Sequence, residues 1–138
     1  MLAPVASPRP LDGVRILLVE DDDDIRDLMR LALVSQGGEL VAVASAGDGL
    51  AALEAETPDV VVSDINMPGQ DGHAFLRKVR QLPLTRGGKV PAIALTALDS
   101  RDARIASRDA GFHYHLTKPV DARKLVDIVA GLVRLTGA

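Results

Sequence analysis

Short, almost wholly apolar runs recur along the chain at residues 16–19, 40–44, 60–62 and 92–95, with a weaker one at 112–116. Such runs suit strands buried on both faces, as in parallel sheets, better than strands with one wet face. Helical spacing fills the intervals. Ile25, Leu28, Met29, Ala32 and Leu33 make an i, i+3, i+4, i+7, i+8 stripe that stops at Gly37-Gly38. Phe75, Leu76 and Val79 form a shorter stripe after Asp71-Gly72, and Leu125, Ile128, Val129, Leu132 and Leu135 form another near the C-terminus. Segments 47–56 and 101–109 complete five helices. The last of these has only Ala103, Ile105 and Ala106 to bury, which predicts the least firmly packed helix. Five strands alternating strictly with five helices, joined by right-handed crossovers, predict an α/β fold built on an open, doubly wound parallel sheet.

A length of 138 residues argues for one domain, and an apolar content of 47% supplies its core. Phe75, Phe112 and Tyr114 are the aromatic residues, so the core is aliphatic and little is available to stack on nucleic-acid bases. Residues 1–13 carry Pro4, Pro8 and Pro10 without periodicity and read as a linker or tail, leaving 14–138 as the domain. Cysteine is absent, which excludes disulfide scaffolds, thiol catalysis and Cys-based zinc sites. No apolar run approaches the roughly 18 residues of a membrane span, and the N-terminus lacks a signal-peptide core. A cytoplasmic domain is therefore expected, with neither membrane nor nucleic acid as a partner. The net charge is only −3, yet Glu20, Asp21, Asp22, Asp23 and Asp24 are consecutive, and the rest of the chain carries +2. That concentration needs a reason.

In open sheets of this kind chemistry collects at the carboxyl ends of the strands. Glu20-Asp21-Asp22 follows the first strand, Asp64 the third, Thr96 the fourth and Lys118-Pro119 the fifth. Helix capping accounts for two or three of the acids. It does not account for Glu20 and Asp21 beside a strand end where Asp64 also arrives. Carboxylates so placed repel and call for a hard divalent cation, and Mg²⁺ fits a site with few protein ligands. Taken singly, Asp64 could equally be a turn residue, Lys118 a surface lysine and Thr96 a strand-end hydroxyl. An EF-hand reading of Asp64, Asn66 and Gly69 fails, because Pro68 takes the fifth loop position and Phe75 stands where the bidentate Glu belongs. Together, the strand ends hold the parts needed for phosphoryl transfer to a carboxylate: a nucleophile, an acidic metal site, an ammonium and a hydroxyl.

Four motifs occur in order: Ile16-Leu17-Leu18-Val19-Glu20-Asp21-Asp22, Asp64-Ile65-Asn66-Met67-Pro68-Gly69-Gln70-Asp71-Gly72, Ala94-Leu95-Thr96-Ala97 and Leu116-Thr117-Lys118-Pro119. On these the chain resembles the receiver domains of two-component response regulators, from about residue 14 to residue 135. It is most similar to those carried by hybrid sensor histidine kinases. The resemblance implies a flavodoxin-like sheet of strand order 2-1-3-4-5 and a signalling domain rather than an enzyme. It also implies a phosphoryl group received from a phosphohistidine partner and lost slowly by self-catalysed hydrolysis. Asp64 would be the phosphoacceptor, with Mg²⁺ held by Glu20, Asp21, Asp64 and the backbone carbonyl of Asn66. Thr96 and Lys118 would contact the phosphoryl group, and the Lys118-Pro119 bond would be cis. The switch residue three positions before the lysine is His115, with Phe112 and Tyr114 as alternatives. Leu98, two positions beyond the threonine, offers no hydrogen bond to water and implies unhurried dephosphorylation. The implied partners are a histidine kinase and a histidine phosphotransfer protein. His113-Tyr114-His115 replaces the acidic and tyrosine residues common before the lysine in DNA-binding relatives, so a monomer is expected.

Two other readings remain open to the residues. One is an interaction-only domain whose phosphorylation machinery is vestigial; the other is a nucleotide-binding flavodoxin-like enzyme, which lacks a Gly-rich phosphate loop here. His113 and His115 lack a third ligand for zinc, His73 is expected to be solvated, and Arg101, Arg104 and Arg108 form a solvated basic stripe. Only three residues follow Leu135, so no DNA-binding output is expected on this stretch.

Overall fold

A computed structural model describes residues 8–67, 69 and 71–135. Residues 1–7 and 136–138, with Pro68 and Gln70 of the third-strand loop, lie outside the described residues. The strands are β1 (Arg15–Val19), β2 (Glu39–Val43), β3 (Val60–Asp64), β4 (Ala92–Thr96) and β5 (Tyr114–Thr117). They alternate with helices α1 (Asp23–Ser35), α2 (Ala46–Ala55), α3 (Gly72–Arg80), α4 (Arg101–Ala110) and α5 (Ala122–Leu135), and one 3-10 turn at Leu84–Arg86 precedes β4. The sheet is parallel in the order β2-β1-β3-β4-β5, so the order reverses at β1 and opens a crevice at the strand ends.

Successive side chains of a strand face opposite sides, which divides the apolar runs between two cores. Ile16, Leu18, Val60, Val62, Ile93 and Leu95 pack with α1 and α5; Leu17, Val19, Val61, Ala92 and Ala94 pack with α2 and α3. β3 and β4 are buried throughout, as expected of central parallel strands. β2 departs from that expectation. It is an edge strand, paired to β1 on one side alone, and Val41 stays 53% exposed.

Two stripe residues are also misplaced by periodicity alone. Leu28 is 68% exposed and α1 seats on Met29 and Leu33 instead. Leu135 is 85% exposed, while Val126 and Val133 share the buried face of α5 with Leu125 and Val129. A helix of this length has more apolar positions than one contact face can cover, and the sheet beneath it selects which. Phe112 falls before β5 rather than within it. Within the segment read as linker, Leu11 is fully buried in the α1–α5 core, and its amide donates to the carbonyl of Gln36 at 2.9 Å. As expected, α4 buries little: Ser107 and Ala110 fully, Ala103, Ile105 and Ala106 in part.

His113 fastens the start of β5. Its Nδ1 accepts from the amide of Ala92 at 3.1 Å, a bond only the neutral imidazole can make. Partial burial, and then Arg80, hold this imidazole below its ordinary value of 6.5. Unfolded chains therefore take up the proton first as pH falls below about 6.5, and stability is lost from there down to the native value. His113→Asn, whose side-chain oxygen can replace Nδ1, should flatten this part of the profile. Urea midpoints of both proteins at pH 7.5 and 5.5 check it: the wild type should lose more on acidification, and equal losses would contradict the assignment.

Candidate functional site

Asp64 ends β3 and Glu20 directly follows β1, so adjacent strands deliver both carboxylates to the crevice. Glu20 is fully buried and Asp64 is 3% exposed. Carboxylate oxygens of Glu20, Asp21 and Asp64 lie within 4.8 Å of one another, the single such acidic or metal-ligating cluster among the described residues. Lys118, delivered by β5, donates from Nζ to Glu20 Oε1 at 2.8 Å and stands 3.3 Å from Asp64 Oδ2. Three acids thus face one ammonium. Burial, and then the hydrogen bond and charge of Glu20, push the Asp64 carboxyl from 3.8 up to about 7; Asp21 adds to the rise and Lys118 opposes it. Burial by itself would lower the Lys118 ammonium, but its bonds and proximity to Glu20 and Asp64 outweigh that and raise it. An all-oxygen donor set, with Glu20 and Asp64 buried and Asp21 more open, mutually repelling and short of positive charge, fits a hard divalent cation.

The local sequence explains how these groups are held. Asp22 caps α1, its side chain accepting from the amide of Ile25 at 3.0 Å, so part of the acid run is capping as expected. Arg26 was not singled out by sequence reasoning. Its NH1 donates to the carbonyl of Glu20 at 2.9 Å, and its other arm pairs with Asp23, tying the acidic loop back onto α1. No spacing rule points an arginine at a carbonyl six residues earlier. Asp71 caps α3 through the amide of Ala74. Gly72 sits so close to the end of β3 that a Cβ there would lie 2.3 Å from the carbonyl oxygen of Asp64 and 2.9 Å from Ile65 Cα. Gly72→Ala should therefore displace the backbone of Asp64 itself, at a cost of about 1–3 kcal/mol. Chemical denaturation should register that loss, and unchanged stability would mean the loop accommodates a methyl group freely.

Asn66 donates its backbone N–H to Asp64 Oδ1 at 3.3 Å. Thr96 ends β4, is 2% exposed, and its Oγ1 accepts from the amide of Leu98 at 3.1 Å. The Lys118-Pro119 bond is cis, as the resemblance implied. His115 lies on β5, half-buried, with Nε2 donating to the Leu98 carbonyl at 2.9 Å. Of the alternatives for its position, Phe112 is buried against α3 and Tyr114 is 41% exposed. His113 and His115 bond to different partners, Ala92 on one side and Leu98 on the other, so they do not converge as ligands. His73 is not solvated. It is half-buried beside Ser107 and the edge of Phe112, because α4 and the turn after it cover the end of α3. Arg101, Arg104 and Arg108 are exposed, with Arg104 paired to Asp99.

The family model of the response regulator receiver domain matches residues 16–130. A 14.6 kDa protein of the sodA1 3′ region of Leptolyngbya boryana is 43% identical over 114 residues, covering 83% of this chain and 86% of its own. The response regulator protein FleR of Pseudomonas aeruginosa is 40% identical over 118 residues; 86% of this chain aligns with 24% of FleR, so the chain spans about a quarter of that relative. Among solved structures, the receiver domain of a Pseudomonas aeruginosa sensor histidine kinase superposes with a TM-score of 0.81. It is 30% identical, covers 88% of this chain and 98% of its own, and has a magnesium ion coordinated in its active-site cleft.

Proposed function

Since the chain belongs to the response regulator receiver domain family of two-component signalling, we propose that it is a phosphoacceptor that takes a phosphoryl group from a phosphohistidine partner onto Asp64. The observation that carries this reading is the meeting of Glu20, Asp21 and Asp64 within 4.8 Å beside the Lys118 ammonium. In the transfer, an Asp64 carboxylate oxygen forms the new P–O bond while the P–N bond to the donor imidazole breaks, and the donor leaves with the electron pair of that bond. Lys118 lies close enough to Asp64 to neutralise charge on the transferring oxygens. Glu20 holds Lys118 in place, and Asp21, Asp64 and the carbonyl of Asn66 are the groups offered to Mg²⁺. That ion, when bound, supplies positive charge that relieves the carboxylate repulsion and orients the phosphoryl oxygens.

After transfer, the Thr96 hydroxyl is drawn to a phosphoryl oxygen. Its amide partner, Leu98, moves with it, and the Leu98 carbonyl is the group bonded to His115. His115 is therefore the switch residue. α4, with little apolar surface buried, is the element that moves most readily. Leu98 is 60% exposed and apolar, which leaves attacking water without a side-chain partner there and supports slow self-dephosphorylation. The partners are a histidine kinase or a histidine phosphotransfer protein, met by a monomer; no helix among the described residues is long and apolar enough to cross a membrane.

Incubation with acetyl phosphate and Mg²⁺, followed by mass spectrometry, tests the assignment. A single base-labile acyl phosphate on Asp64, lost in Asp64→Asn, is expected. Phosphate on Ser63 or Thr96, or no label in the wild type, would overturn it.

A further inference from the structure

Among the described residues no cation pairs with Asp21. The ion pairs of the site run from Lys118 to Glu20 and Asp64, and those two carboxylates are the groups Asp21 meets in the cluster. In the ionised form that a metal ion requires, they push the Asp21 carboxylate out toward water. Glu20 beside it is held at every polar group. Its N–H donates to the Val43 carbonyl at 3.0 Å, Oε1 accepts from Lys118 at 2.8 Å, and Oε2 accepts from the amide of Asp22 at 3.4 Å. Its carbonyl accepts from Nη1 of Arg26 at 2.9 Å. Asp21 is aimed by its backbone alone.

That backbone is held from α1. Beyond its bond to the Glu20 carbonyl, Arg26 donates its own amide to the carbonyl of Asp22 at 2.9 Å. The peptide groups of residues 20–23 are therefore all engaged, two by Arg26 and the middle one by Glu20 Oε2. Planar peptides fixed on both sides of Asp21 set the direction of its Cα–Cβ bond. The Arg26 side chain is 17% exposed, whereas Asp23, which takes its other arm, is 82% exposed. An ion pair so open to water contributes little to stability. Its effect is to keep the guanidinium turned toward the loop, where a planar fork serves a carbonyl and a carboxylate together.

Resting on the phosphoacceptor reading and its metal site, we propose that Arg26 is a positioning residue for the divalent ion, clamping the β1–α1 loop so that Asp21 faces the cluster before the ion arrives. The cost of gathering the carboxylates is then met in folding rather than in binding. Charge alone would act in the opposite direction. Arg26 is a cation near a cation site, so on Coulomb grounds its removal favours Mg²⁺, whereas loss of a clamp weakens binding. The sign separates the two.

Calorimetric titration of the full chain with Mg²⁺, with no phosphodonor present, reads that sign. Arg26→Ala should bind Mg²⁺ on the order of 10-fold more weakly than the wild type, as loss of an outer-shell partner does. Arg26→Lys, which keeps one donor for the Glu20 carbonyl, should recover part of the loss. In metal-free Arg26→Ala the amide resonances of Asp21 and Asp22 should move while those of residues 60–63 on β3 stay in place. Wild-type or tighter Mg²⁺ binding by a folded Arg26→Ala overturns the clamp. Unmoved Asp21 and Asp22 amides, or Arg26→Lys binding no better than Arg26→Ala, do the same. The wild type carries a reading that needs no variant: the Arg26 Nη1 resonance bonded to the Glu20 carbonyl should be present without metal and persist at Mg²⁺ saturation. Its loss on saturation overturns the clamp even if Arg26→Ala fails to fold. Absence of any Mg²⁺ binding by the wild type overturns the metal site itself instead.

Discussion

Asp64→Asn should raise the stability of the metal-free protein while abolishing its phosphorylation. A carboxyl displaced from 3.8 to about 7 resists ionisation in the fold. At about 1.4 kcal/mol for each tenfold change, ionising it costs at most ~4 kcal/mol. The asparagine keeps the shape and removes the charge that faces Glu20 and Asp21. An Asn gain of about 2 kcal/mol, or roughly 5–10 °C in midpoint, is expected at pH 8. The sign with pH follows from the raised value. Native Asp64 holds its proton longer than the unfolded chain does, so the wild type loses stability as pH rises from about 4 through 7. The gap between the two proteins should therefore be small near pH 4 and widest above 7. Mg²⁺ should close it by stabilising only the wild type. Thermal melts at pH 4.5 and 8, with Mg²⁺ and with chelator, decide; a destabilised Asp64→Asn at pH 8 without metal would mean that Lys118 outweighs the two neighbouring acids.

Asp21→Ala should weaken Mg²⁺ binding by at least on the order of 100-fold, the upper end of what loss of an outer-shell partner costs. Glu20 is fully buried and already engaged by Lys118 at 2.8 Å. Asp21 follows it into the more open mouth of the crevice, leaving its carboxylate as the one a hydrated ion meets first. Calorimetric titration of both proteins tests this, with acetyl phosphate labelling of Asp64 as the companion readout. Undiminished Mg²⁺ affinity in the mutant would move the ion to Glu20 and Asp64 alone.

Much of this site was legible in the chain. Glu20, Asp21, Asp64, Thr96 and Lys118 each follow an apolar run, and a parallel sheet carries the carboxyl ends of its strands to one edge, so strand identification was enough to bring them together. Less legible were the groups that hold them. Arg26 reaches a backbone carbonyl, and Gly72 matters because Asp64 passes within van der Waals distance; neither relation leaves a mark in spacing. His73 was misread because solvation of a helix position depends on what packs over it, here Ser107 and Phe112, from segments about 35 residues further along.

The alternation of β and α, the order of chemistry along the chain and the residue types at each strand end can all be read along the chain. Those are local properties: period, capping, and side-chain identity. Tertiary structure alone decided which apolar positions of α1 and α5 meet the sheet, so that Leu28 and Leu135 remain in water while Val126 and Val133 do not. It alone decided that Asp64 is driven to about 7, and that Ser107 stands between His73 and His115. Burial, dielectric and hydrogen-bond partnership are set by neighbours distant in sequence, and their strength falls off over a few ångströms in space rather than over residues along the chain.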